Sequence, residues 1–145
     1  MLKRPLLAGF SILLAWTLVD LGLHRFVLAR LYQSSASLWR PFDQINITLI
    51  YVVTFALIGV FVGSYQLLVR PKSLGAGLGF GAFIGLGLGV SAGFGTYIHM
   101  PIPLGLAWGW FVGGWLKGLA AGAVLGAVLR DGGSTQPSPR DAERG

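Results

Sequence analysis

The sequence predicts an all-α integral membrane bundle of four transmembrane helices, with a glycine-packed hairpin of helices 3 and 4. Three observations predict it. Four apolar segments are each long enough to cross a hydrocarbon core, which takes about 20 helical residues. Charge is nearly excluded from them: between Asp43 and Asp131 no acidic residue occurs, and only Arg70, Lys72, Lys117 and Arg130 are basic. Glycine recurs at every fourth position of the third segment, as Gly77, Gly81, Gly85, Gly89 and Gly93. The fourth segment carries Gly105, Gly109 and Gly113 on one row and Gly114, Gly118, Gly122 and Gly126 on its neighbour. In water a helical glycine costs about 1 kcal/mol relative to alanine. In a bilayer, small residues four apart let two backbones approach closely, and that approach holds membrane helices together.

The first span is expected from about Leu6 to Leu28, the second from about Ile45 to Val69, the third from about Leu74 to Ile98 and the fourth from about Leu104 to Leu129. Lys3 and Arg4 before an apolar run also fit a signal peptide cut near Ser35-Ala36-Ser37. Asp20, His24, Arg25 and Arg30 lie between that run and the cut, where charge is unusual, so a retained span is expected. In the first connection, Tyr32, Trp39 and Phe42 fit residues at headgroup level, and Arg40-Pro41 stops a helix. The turn Arg70-Pro71-Lys72 is tight and basic. His99-Met100-Pro101-Ile102-Pro103 is short enough to make segments three and four an antiparallel hairpin. Residues 1–130 thus form one transmembrane domain, and the polar stretch 131–145 is expected to be a disordered cytoplasmic tail.

The net charge of +6 forms no patch suited to nucleic acid. Lys3, Arg4, Arg70, Lys72 and Arg130 instead flank the spans on one side. Cationic connections face the cytoplasm, so both termini are expected inside. Cysteine is absent, which excludes disulfides and thiolate metal sites. His99 and Met100 are too few for a coordination shell. Gly-x-Gly runs such as Gly77-Leu78-Gly79 lie inside an apolar helix and are not phosphate loops. Ser34, Ser35 and Ser37 have no base at a fixed spacing. No cofactor and no enzymatic activity are expected. Asn46-Ile47-Thr48 matches a short glycosylation pattern.

Two smoothness arguments concern packing. The long glycine row, with Gly75 and Gly79 on a second face, predicts that segment three is the most buried helix. Trp108, Trp110 and Tyr97 fit an outer aromatic belt, whereas Trp115 is expected to pack into the bundle.

Lys117 is the most informative single position. It lies mid-span, in register with Gly105, Gly109 and Gly113, so it extends a close-packing row. A charge at the bilayer centre costs about 2.5–3.5 kcal/mol on insertion scales and normally meets a partner or water. Asp20 is the one carboxylate inside an apolar segment. Asp20 lies about 14 residues and Lys117 about 13 from the cytoplasmic ends, which matches their depths at 1.5 Å per residue. His24, four residues after Asp20, shares its helical face. These three form a candidate polar cluster, either a structural pair or a proton relay; in a third reading His24 and Arg25 mark the outer interface and Lys117 snorkels toward water.

The run IPLGLAWGWFVGGWLKGLAAGAVLGAVLR, the preceding GLGFGAFIGLGLGVSAGFGTYI and the upstream LWRP resemble small uncharacterised four-helix membrane proteins of bacterial genomes. The resemblance spans most of residues 16–130 and implies a bacterial inner-membrane protein, with no activity to carry over. The expected role is a structural or accessory membrane subunit that contacts the lipid bilayer and oligomerises or binds a larger membrane protein through smooth faces. The rival is a small transporter or channel using Asp20, His24 and Lys117. A transporter needs a cavity reaching Asp20; an accessory subunit needs dry packing there.

Overall fold

The computed structural model describes residues 2–131. The expected tail, from residue 132 on, lies outside the described residues. Every regular element is helical: α1 (Lys3–Gly22), α2 (Ala29–Ser34), α3 (Ile47–Leu68), α4 (Leu74–Val90), α5 (Thr96–His99) and α6 (Leu104–Val128). Wider π-turns at Leu23–Val27 and Ser91–Gly95 follow α1 and α4, and 3-10 turns at Ala36–Leu38 and Phe42–Gln44 shape the first connection. Four helices are long and apolar enough to cross a membrane: Lys3–Val27, Ile47–Leu68, Leu74–His99 and Leu104–Val128.

Local chemistry sets the boundaries. Asn46 starts α3, its Oδ1 accepting a 2.9 Å hydrogen bond from the Leu49 amide. Ser73 starts α4 the same way, its Oγ accepting from the Ala76 amide at 3.1 Å. Such caps satisfy amides that a first helical turn leaves open. Pro103 precedes the first turn of α6. Asp131 closes the α6 end against the α3–α4 turn, accepting from the Lys72 amide at 2.7 Å and donating its own amide to the Lys72 carbonyl at 3.1 Å.

α4 and α6 pack backbone against backbone. A methyl group added at Gly81 would lie 2.7 Å from the Gly122 Cα, and one at Gly85 would lie 2.8 Å from the Gly118 Cα. At Gly77 the Gly126 Cα would be 2.6 Å away, and at Gly114 the Gly89 Cα would be 2.8 Å away. Gly93 is closed in by the Ala107 carbonyl and the Phe111 backbone. No side chain fits between such surfaces, and glycine Cα–H groups face carbonyls across the contact, a weak attraction repeated at each step.

The Gly105, Gly109 and Gly113 row turns away from α4. Gly113 receives the Leu23 side chain, Gly109 that of Leu28, and Gly105 that of Leu31, whose Cδ1 would lie 3.0 Å from an added methyl. α6 is therefore gripped on two faces. This corrects the expectation about segment three: 33% of the hydrophobic window of α6 is buried, against 22% for that of Leu74–His99. The glycine row makes α4 smooth, but α4 has one close helix neighbour whereas α6 has two. Trp115 also departs from expectation, being 39% exposed, because its backbone rather than its ring meets Gly85 and Gly89.

Two apolar clusters form the core. At the end carrying Lys72 and Asp131, Ala8, Ile12 and Trp16 of α1 meet Ile58, Phe61 and Tyr65 of α3 and Ala121 and Leu125 of α6. At the other end Leu28, Ile102, Leu106 and Ala107 come together. All the buried residues of α3 fall in its second half, Ile58, Phe61, Val62 and Tyr65. From Leu49 to Val53 every α3 side chain is exposed.

The glycine contacts make a site-specific expectation. Gly81→Ala or Gly118→Ala forces the α4 and α6 backbones apart and destabilises the fold by about 1–3 kcal/mol. Gly79→Ala and Gly87→Ala, where an added methyl meets nothing within 4 Å, leave stability unchanged or raise it by up to about 1 kcal/mol through helix propensity. Thermal unfolding of the detergent-solubilised variants, followed by circular dichroism, checks the contrast. Equal losses at all four sites would count against backbone contact as the cause.

Candidate functional site

The antiparallel register of α1 on α6 builds the site. Continuing from the end of α1 through the π-turn into α2, Leu23, Leu28 and Leu31 fill the hollows at Gly113, Gly109 and Gly105. One step below this ladder Asp20 meets Lys117. The interval from Leu23 to Leu28 is five residues, one more than the glycine spacing across from it. The π-turn absorbs the extra residue: the Leu28 amide donates to the Leu23 carbonyl at 2.9 Å, five residues back. Such turns are frequent where a helix is bent to serve a site. His24 lies within this turn.

Lys117 and Asp20 form a forked ion pair, with Nζ donating to Oδ2 at 2.8 Å and to Oδ1 at 3.0 Å. The same ammonium lies 5.2 Å from the centre of the Trp16 ring, within reach of a cation–π attraction. Trp16 is fixed in turn, because its indole N–H donates to the Lys117 carbonyl at 2.8 Å and its ring meets Phe61 edge-on.

His24 continues the network. Its Nε2 is 3.7 Å from Asp20 Oδ1, and its Nδ1 is 2.7 Å from the Tyr32 hydroxyl. The Trp110 indole N–H donates to that hydroxyl at 2.6 Å. Burial pushes the Tyr32 phenol above its ordinary value of 10.0; the Trp110 hydrogen bond offsets this and the Asp20 charge adds to it. Tyr32 therefore keeps its proton at neutral pH. An indole only donates, so the phenol oxygen accepts from Trp110, while the direction of the Tyr32–His24 hydrogen bond follows the imidazole tautomer.

Beside this network lies a cavity of about 440 Å³. Asp20, His24 and Lys117 line it, with Trp16, Tyr32 and Trp110, the aliphatic side chains of Leu23, Leu57 and Leu88, and Ser91. Gly113, Gly114 and Gly118 form its α6 wall. Both π-turns contribute, the first through Leu23 and His24, the second through Ser91 and Ala92. The side chains of Asp20, His24 and Lys117 are 44%, 43% and 28% exposed, so the ion pair is open to the space rather than packed over.

The structure thus brings Asp20, His24 and Lys117 together and places Gly113 and Gly118 at the same cavity. The other glycines of the rows lie along helix contacts above and below it. Sequence reasoning missed Trp16 and the joint role of Tyr32 and Trp110. The two latter read as headgroup aromatics, yet Tyr32, Trp39 and Trp110 stack into one cluster, with ring centres 5.4 Å apart for Tyr32–Trp39 and 5.9 Å for Trp39–Trp110. Their spacing in sequence, 78 residues for the Tyr32–Trp110 bond, carries no local signal.

The ion pair makes a coupled prediction. Asp20→Asn and Lys117→Met each leave one charge unmatched, and each is expected to destabilise. The double variant is expected to recover about 1 kcal/mol or more relative to the sum of the single losses, as contacting groups do. Additive losses in a double-mutant cycle, measured by denaturation in micelles, would show that the pair contributes no coupling. No protein-family model, curated protein or solved structure matches this chain, so the reading of the site rests on its own residues.

Proposed function

We propose that the protein is a small multi-pass membrane carrier that binds a small molecule in the cavity at Asp20, His24 and Lys117. One observation carries this reading: the ion pair borders open volume. A pair that only fixes helix register is best served by dry, complete packing, since water and voids both weaken it. Here about 440 Å³ of space stands at the charges, a size in the range of small-molecule sites. The cavity lies between two apolar clusters, one around Trp16, Phe61 and Tyr65 and one around Leu28 and Leu106. The clusters bound the cavity along the bundle, while it stays open at the side where Asp20 and His24 are 44% and 43% exposed; that supports a carrier over a channel running end to end.

The orientation belongs to the same proposal. Lys72 and Asp131 meet at one end of the bundle, and the neighbouring Lys3, Arg4, Arg70 and Arg130 make that end cationic. Cytoplasmic placement of this end follows from the charge rule. With the resemblance to bacterial four-helix membrane proteins, it supports a bacterial inner-membrane location with both termini inside.

A second reading is favoured by a separate observation. An added methyl at Gly59, Gly63, Gly75, Gly79 or Gly87 meets nothing within 4 Å. These outward hollows support an accessory subunit to which other helices attach. Such a subunit retains a partner through purification in mild detergent, and the loss of that partner on Gly59→Leu supports this role.

The absence of cysteine allows a direct test of the carrier reading. In the Ser91→Cys variant, reconstituted in liposomes, a small water-soluble thiol reagent is expected to react at least tenfold faster than with Ile12→Cys, at a fully buried position. Equal protection at both positions means a dry interior, which defeats the carrier reading and leaves the accessory one.

A further inference from the structure

We infer that the molecule bound in the cavity is a weak organic acid, a monocarboxylic acid with a compact apolar body, taken up together with one proton that is held on Asp20. The inference rests on the carrier reading and deepens it.

Hydrogen-bonding capacity gives the first argument. Among the described residues, Lys117 is the one lysine or arginine lining the cavity, and the single carboxylate that holds its ammonium is itself 44% exposed, so a second carboxylate can reach and replace it. Tyr32 and Trp110 are already engaged with each other and with His24. A ligand that brings two acceptor oxygens on one group, as a carboxylate does, complements the ammonium.

Charge balance gives the second. Asp20 and Lys117 together are neutral, and their surroundings are mainly leucine, tryptophan and glycine. An added anion or cation leaves one uncompensated charge there, which is costly. An acid arriving with its proton does not. The ligand carboxylate takes the Asp20 position on the Lys117 ammonium, and the proton goes to an Asp20 carboxyl oxygen. One O–H bond is lost from the acid or from water-borne hydronium, one forms on Asp20, and Lys117 keeps its charge throughout. The groups that face Asp20 agree with this. Lys117 comes from α6 and His24 from the π-turn after α1, with Tyr32 behind it. α3 and α4 present Leu57, Leu88, Ser91 and Ala92, none of which titrates near neutrality.

Size gives the third. A dry cavity of about 150 Å³ holds benzene, so about 440 Å³ admits an aromatic or short branched acid beside Trp16 and Leu57.

The probes are benzoate, benzylamine and benzyl alcohol, added to the full chain in lipid nanodiscs. Binding is read by tryptophan fluorescence, which Trp16 and Trp110 report, and by calorimetry in two buffers of different ionisation heat. Benzoate is expected to bind with uptake of one proton, and its affinity is expected to rise about tenfold for each unit of pH lowered from 8 to 6. Asp20→Asn is expected to keep benzoate binding while losing both the proton uptake and the pH slope. Lys117→Met is expected to weaken it at least tenfold. Benzoate binding by the native chain without proton uptake overturns the inference, with or without a folded variant. Equal or tighter binding of benzylamine or benzyl alcohol also overturns it, while leaving a binding cavity in place. If none of the three binds, the inference is overturned, and the reactivity of Ser91→Cys decides the carrier reading separately.

Discussion

The contact that everything else depends on is the one between the α4 and α6 backbones. Four glycines on α6 meet a row of glycines on α4 so closely that a methyl at Gly81, Gly85, Gly114 or Gly126 would fall under 3 Å from a neighbouring Cα. From Gly77 to Gly89 that fixes the hairpin through backbone atoms, and at Gly93 the Phe111 Cβ joins the contact. The opposite row, Gly105 to Gly113, is then free to receive Leu31, Leu28 and Leu23 from the α1 side. α1 is thereby held in register, and the next step of the ladder sets Asp20 on Lys117. The same glycines leave volume where no side chain enters. Gly113, Gly114 and Gly118 surround Lys117 in sequence and form one wall of the cavity. Close packing and hollow have one cause, the missing Cβ.

Much of this was legible in the chain. The four spans follow from apolar length, and the described helices begin and end within a few residues of the expected bounds. The candidate site was legible to the extent that helical arithmetic reaches: Lys117 sits four residues beyond Gly113, and Asp20 and His24 share a face. What escaped has identifiable reasons. Glycine spacing measures how smooth a helix is, not how many neighbours it has, so α4 was expected in the centre where α6 stands. The π-turn at Leu23–Val27 is flanked by Gly22, but a single glycine at a helix position names no turn type; the five-residue step opposite a four-residue glycine row demands it. Tyr32 and Trp110 are amphipathic side chains near helix ends, and composition alone reads them as interfacial. Their hydrogen bond comes from how α2 folds back over α6, a tertiary fact.

The charges at the site also bear on why such a cluster persists. A buried ion pair contributes little net stability over well-packed apolar residues of the same size. The hairpin lies outside the pair, and Trp16 joins the pair to one apolar cluster through the Lys117 carbonyl and the cation–π contact. Asp20 and Lys117 are nonetheless kept beside open volume, and His24 is oriented toward Asp20 by a chain through Tyr32 to Trp110.

For a carrier, the remaining requirement is a way to open one end at a time. The two π-turns flank the cavity at Leu23–Val27 and Ser91–Gly95, and both belong to helices that line it. A π-turn has one residue more than the α-helical pattern needs and is a place where a helix bends. The α4–α6 contact is too tight to slide without collision. α3 is different: it is buried through Ile58, Phe61, Val62 and Tyr65 alone, and those side chains close the cavity toward the cationic end. Movement of α3 against a fixed α4–α6 hairpin opens that end, and bending of α1 at His24 opens the other. The ion pair then sits at the pivot between them, where a change in its partners alters which opening is favoured.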